Sequence, residues 1–148
     1  TYDRGGQIII LPKSSSSVVA LTFRLPANYR KNSPVTVRAQ FSSVDIACDV
    51  VVRPLIVKRS RIGRVGSSLD ADDGGASVAV SSIIPMPEFS KQHFVQKFKL
   101  KPAKVGPLFT QIAGDVISFT FERHGLSVDD GCPSDLLLHF VDVTYTTN

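Results

Sequence analysis

The residues of this 148-residue chain that could do chemistry are three histidines, thirteen carboxylates and two cysteines. His93, His124 and His139 fall in no metal-ligand spacing, and none neighbours a plausible nucleophile in the sequence. A pair of carboxylates can act as acid and base from distant positions. Most acids here, however, lie in loops beside glycine, where turn formation and solubility explain them. The run Asp70-Ala71-Asp72-Asp73-Gly74-Gly75 faintly resembles a calcium loop, but an EF-hand needs an oxygen ligand where Gly74 stands and a glutamate where Ser81 stands. Gly63-Arg64-Val65-Gly66-Ser67-Ser68 lacks the lysine and the following helix of a phosphate loop. The expectation is therefore no catalytic residue, no metal and no cofactor.

Cys48 sits in a strand-like stretch and Cys132 in the loop Asp129-Asp130-Gly131-Cys132-Pro133, with no Cys-x-x-Cys and no metal spacing. One bridge between them is the alternative; the expected state is two free thiols, because disulfides are scarce in proteins assembled in reducing cytosol.

Charge is the stronger signal. Net charge is +4 with a pI near 9.3, and Arg53, Lys58, Arg59, Arg61 and Arg64 fall within twelve residues. Lys97, Lys99 and Lys101 recur on one strand face by period two. A solvated face is the plain reading of this pattern. The functional one is an electropositive patch, carried by Lys58, Arg59, Arg61 and Arg64, that docks on an acidic surface. Nucleic acid is the weaker partner, since no aromatic residue interleaves on the polar faces to stack bases.

The elements that must position these residues are strands. Apolar residues alternate, with β-branched and aromatic enrichment, between clusters of Pro, Gly, Asn, Asp and Ser, and helical periodicity is missing. Eight segments stand out: 7–11, 18–25, 35–42, 47–58, 76–84, 93–101, 115–123 and 136–146. In the third, Val35, Val37, Ala39 and Phe41 oppose Thr36, Arg38 and Gln40, the pattern of an antiparallel sheet with one face on a core. The fourth and eighth are apolar on both faces, which places them centrally in a sheet or against a partner chain. Pro26 ends the second segment and Pro85-Met86-Pro87 the fifth. A short helical turn fits the longer connection from Lys101 to Gly114.

Eight short strands without helices predict an all-β, antiparallel two-sheet jelly-roll β-sandwich. It forms one domain over residues 1–148, with an extended N-terminal segment over 1–17. Segment 18–25 is expected to pair with 115–123, and 35–42 with 93–101. The expected core is Leu21, Phe23, Val37, Phe41, Phe94, Phe98, Phe119 and Phe121.

Composition agrees with a folded domain: 43% hydrophobic, 20% charged, mean hydropathy +0.10. The longest apolar runs fall far short of the ~20 residues of a membrane helix. The N-terminus lacks the layout of a signal peptide. A first residue of Thr1 fits removal of an initiator methionine, so a nearly complete gene product is expected.

Thr22-Phe23-Arg24-Leu25-Pro26-Ala27-Asn28-Tyr29 leads into an alternating strand and then Asp49-Val50-Val51-Val52-Arg53. Later come Ala113-Gly114-Asp115-Val116-Ile117-Ser118-Phe119-Thr120-Phe121-Glu122-Arg123, the acidic loop Val128-Asp129-Asp130-Gly131, and Leu138-His139-Phe140-Val141-Asp142-Val143-Thr144-Tyr145. This order, over about two thirds of the chain, resembles the small jelly-roll virion proteins of tailed bacteriophages, capsid decoration or cement proteins among them. It departs from them in the Ser-rich run near the N-terminus and in the stretch from Lys58 to Arg64. The resemblance implies a non-enzymatic homo-oligomer, trimer or dimer, assembled in the host cytoplasm. It would bind the major capsid protein or another virion protein on the capsid exterior, without a membrane. A receptor- or carbohydrate-binding head of a virion fibre is the second reading. It usually shows exposed aromatics clustered in loops, whereas here Trp is absent and the three tyrosines are scattered. A shell-forming coat protein is the third.

Overall fold

The computed structural model describes residues 8–61, 82–100 and 110–148. Among them eight strands form: β1 (Ile9–Leu11), β2 (Ser16–Arg24), β3 (Val35–Ser42), β4 (Asp49–Ser60), β5 (Ser82–Pro85), β6 (Phe94–Leu100), β7 (Val116–His124) and β8 (Leu136–Tyr145). They build two four-stranded antiparallel sheets, β1-β8-β3-β6 (sheet one) and β2-β7-β4-β5 (sheet two). Every connection crosses between the sheets except β4–β5, which pair directly in sheet two, and this order is a jelly roll.

Both expected pairings form. Val19 faces Phe121 and Leu21 faces Phe119 across β2 and β7; Val37 faces Phe98 across β3 and β6. The two strands with apolar residues on both faces are internal, β8 between β1 and β3, and β4 between β7 and β5. Pro54 lies within internal β4, where a proline cannot donate to a ladder. The register against β7 shifts between Pro54 and Ile56, so the missing donor falls at a bulge.

Several strand boundaries differ from the sequence expectation by one to a few residues. β4 starts at Asp49 and not at residue 47, because Ala47 takes φ 56°, outside the extended region. The expected strand over 7–11 forms as Ile9–Leu11, paired with Leu136–Leu138, and β2 starts two residues early, at Ser16, inside the segment expected to be extended. Asp115 precedes β7 and is buried. Residues 76–81, the calcium-like loop at 70–75, Gly63 to Ser68, and residues 101–109 of the long connection lie outside the described residues.

The core is aromatic and lies between the sheets. Phe98 packs on Phe119 and Phe121 with ring centroids 5.2 and 5.1 Å apart, and Phe121 meets Phe41 edge-on at 6.3 Å. Such tilted and edge-on contacts suit the aromatic quadrupole. Val37, Phe41, Phe98, Phe119 and Phe121 are buried as expected, but Leu21, Phe23 and Phe94 are only half-buried. β2 and β6 are edge strands, so the inward row of each is covered on one side only.

Candidate functional site

Antiparallel pairing gathers four connections at one end of the sandwich: 12–15, 43–48, 86–93 and 125–135. Ser42 at the end of β3 faces Leu137 of β8, Phe41 faces Phe94 of β6, and Ser16 of β2 faces His124 of β7. What distinguishes this end is how firmly it is tied.

Cys48 and Cys132 form a disulfide with Cα atoms 5.3 Å apart, joining loops separated by 84 residues. This corrects the expectation of two free thiols. Sequence spacing carries no information about a contact made by crossing from the β3–β4 loop to the β7–β8 loop. Asp45 lies beside the bridge, its carboxylate accepting from the Ser134 amide and hydroxyl at 2.7 and 2.8 Å. Asp45, Cys48 and Cys132 are the one group of three potential metal ligands found among the described residues. The two sulfurs are bonded to each other, so thiolate ligands arise there only on reduction.

Arg123 is the second tie. Its side chain is 0% exposed, which is tolerable only if every donor is used. It donates to Asp130 Oδ2 and Oδ1 at 3.0 and 2.8 Å, to the carbonyls of Cys132 and Ser134 at 2.8 and 2.7 Å, and to the Leu11 carbonyl at 3.1 Å. Asp130 in turn accepts from the Val51 amide at 3.0 Å and sits 3.5 Å from Lys13 Nζ. Burial pushes the Asp130 carboxyl up. The hydrogen bonds from Arg123 and Val51, with the charges of Arg123 and Lys13, outweigh it and hold the group below the usual carboxylate range. At Gly125 a Cβ would stand 2.3 Å from the Lys13 carbonyl oxygen, so this close approach of two loops needs glycine.

On the outer face of sheet one, near the same end, β8 bulges against β3. Gln40 faces Phe140 and Phe41 faces Leu138, leaving His139 as the extra residue. His139 Nε2 meets Ser42 Oγ at 2.6 Å, and its ring stacks on His93 with centroids 4.2 Å apart; His93 Nδ1 meets Gln40 Nε2 at 2.6 Å. Burial, then the neighbouring His93, lowers the His139 pKa. A Ser–His hydrogen bond is one contact of a nucleophile triad. Here Ser42 lies in a laddered strand on a sheet face, and His93 stacks on the ring of His139. The pair pins the bulge.

Of the expected docking residues, Lys58, Arg59 and Arg61 lie toward the opposite end. Arg59 is buried, 3.9 Å from Asp115, and Arg61 donates to Asp115 Oδ1 at 2.8 Å and to the Thr110 carbonyl at 2.7 Å. Burial lowers the Arg59 pKa, while the Asp115 hydrogen bond raises that of Arg61. Lys58 occupies β4 opposite Ser118, and Arg64 lies outside the described residues. The structure thus brings Arg59 and Arg61 together on one internal carboxylate. Two features of the loop end left a trace in the sequence: Asp130 stands seven residues after Arg123, and Cys132 follows a turn. Neither reveals its partner in space.

Comparison of the chain with protein-family models, with curated proteins and with solved structures returned no match.

Proposed function

We propose that this domain is a non-enzymatic virion protein of a tailed bacteriophage, a decoration or cement protein that binds the outside of the assembled head and stabilises it. Its partner is the major capsid protein or another virion protein, and it works as a homo-oligomer, dimer or trimer, on the capsid exterior. One observation carries the reading. At one end of the sandwich the Cys48–Cys132 bridge, Arg123 and Asp130 tie loops 12–15, 43–48 and 125–135 to each other, and the Met86 and Lys91 amides tie loop 86–93 to the Cys48 and Ser43 carbonyls. A loop surface fixed before binding loses little conformational entropy on docking, which suits a protein that acts by contact alone. A disulfide also fits the outside of a particle that leaves the reducing cytosol. The jelly roll and its likeness in residue order to phage virion proteins agree with this role. The basic stretch supports it less, with Arg59 buried and Arg61 held on Asp115.

A protein that binds the assembled lattice but not free subunits stabilises the lattice by mass action. The test is co-sedimentation of the purified protein with empty and full heads of the phage that encodes it, followed by thermal dissociation of the heads. Binding with a raised dissociation temperature supports the reading. Absence of binding to either head gives way to the receptor-binding role of a fibre head.

A further inference from the structure

The loop end exposes large apolar side chains beyond what a solvated surface needs. Val44 and Ile46 project from the β3–β4 loop, Phe89 (66% exposed) from the β5–β6 loop, and Leu126 (68%) and Val128 (97%) from the β7–β8 loop. The surface continues onto the adjoining half of sheet one. There Ile10 and Phe140 point outward, Leu137 faces Ile10 across the ladder, and Val95 faces Gln40 from the edge strand. The loops and the sheet are joined: Lys91 N donates to the Ser43 carbonyl at 2.8 Å, Ser90 Oγ to the Val44 carbonyl at 2.9 Å, and the stacked His93 and His139 bridge the two. Further along the same face the residues turn polar, with Arg38 paired to Asp142, then Lys97 and Lys99. Apolar side chains concentrated at one end and bounded along sheet one by polar residues are the mark of an interaction site.

The rim decides what can cover it. Among the described residues around these loops Asp49, Glu88, Asp129 and Asp135 are exposed, against Lys91, with Lys97 and Lys99 farther along sheet one; Lys13 is half-buried on Asp130. A two-fold contact of the loop end with itself would set acid against acid, which is costly at an interface. We infer that the loop end and the adjoining half of sheet one dock on a virion protein surface that is apolar at its centre and rimmed by lysine or arginine. This rests on the virion reading above and reverses the sign of the electrostatic contact expected from the basic stretch.

The test measures binding to heads of the encoding phage by wild type and three variants: Leu126→Glu/Val128→Glu, Glu88→Lys/Asp129→Lys, and Arg24→Glu/Lys31→Glu at the opposite end. All six positions are exposed, so melting curves should match wild type. The apolar variant is expected to lose at least tenfold in affinity. The acidic-rim variant should associate more slowly, most clearly at 0.01 M salt, where the Debye length is ~30 Å. The opposite-end variant should bind as wild type does. If wild type binds and the first two variants bind equally well, this inference is wrong and the virion reading stands. If wild type binds no heads, both fall. If sedimentation shows wild type self-associating and the Leu126→Glu/Val128→Glu variant monomeric, the occupant is a second copy, and the basic-rimmed partner is overturned.

Discussion

Arg123 and Asp130 show how much one pair of charges can organise. Two ions out of water gain by attraction only when their remaining donors and acceptors are satisfied, and here three carbonyls and a backbone amide complete the set. Arg123→Ala should therefore destabilise the fold by about 3–5 kcal/mol in denaturant titration, since it leaves Asp130 buried without its partner. The acid limb of stability follows from the same pair. The folded pKa of Asp130 is depressed, so its contribution is present above the unfolded value of about 3.9 and is lost as pH falls through the folded pKa. His139 acts in a different window. Its folded pKa lies below the unfolded value of about 6.5, because burial and then His93 disfavour the imidazolium. Its stabilising effect is complete above that value and declines as pH drops below it. Melting temperature measured from pH 7.5 to 5 should fall less steeply in His139→Gln than in wild type; equal slopes would place the titration elsewhere.

At the scale of the strands, the inward aromatic row of β7 is the most exacting feature. Phe119 packs on Phe98 and Phe121 between the sheets. Phe119→Ala should cost about 3–5 kcal/mol, as other large aromatic deletions do, and a loss below about 1 kcal/mol would contradict its place in the core. Gly125→Ala tests the loop approach instead. The added methyl meets a backbone carbonyl that cannot step aside, so the β1–β2 turn must shift and the melting temperature must drop. These rows were legible in the sequence because alternation is local: a dry and a wet face can be read along one strand, and matching rows suggest which strands pair. What lay beyond reach was set by position in the sheet or by contacts across it. Phe23 alternates as well as Phe121 does, yet it is half-buried because β2 is an edge. Arg59 and Arg61 read as surface charge, and only the fold brings Asp115 to them. The Ser42–His139 contact needs a β8 bulge that no residue of β8 announces.

Across the whole molecule the two ends differ in construction. At one, Arg61 and Asp115 close the sandwich from within; at the other, covalent, ionic and hydrogen-bonded ties hold four loops, three of which carry exposed apolar side chains. On the virion reading proposed above, the bridge should matter to both stability and docking, and the two effects can be separated. A cross-link over 84 residues restricts the unfolded chain far more than the folded one, and removing such a bridge typically costs about 2–5 kcal/mol. For a domain of this length each kcal/mol corresponds to roughly 2–4 °C, so Cys48→Ser/Cys132→Ser should melt about 4–20 °C lower than wild type. If restricting the unfolded chain were the bridge's whole effect, the double variant would bind heads as wild type does at temperatures where both are folded. The loops would then be held by the remaining ionic and hydrogen-bonded ties, those of Arg123, Asp130 and Asp45 among them. If the bridge also fixes the loops for docking, affinity should fall at 25 °C while far-ultraviolet circular dichroism stays unchanged, and hydrogen exchange should rise in residues 43–48 and 125–135 before it rises in β7. We expect the second outcome, because Cys132 lies between the Asp130 carboxylate and the Ser134 amide, and freeing it loosens the strap on which Leu126 and Val128 are presented.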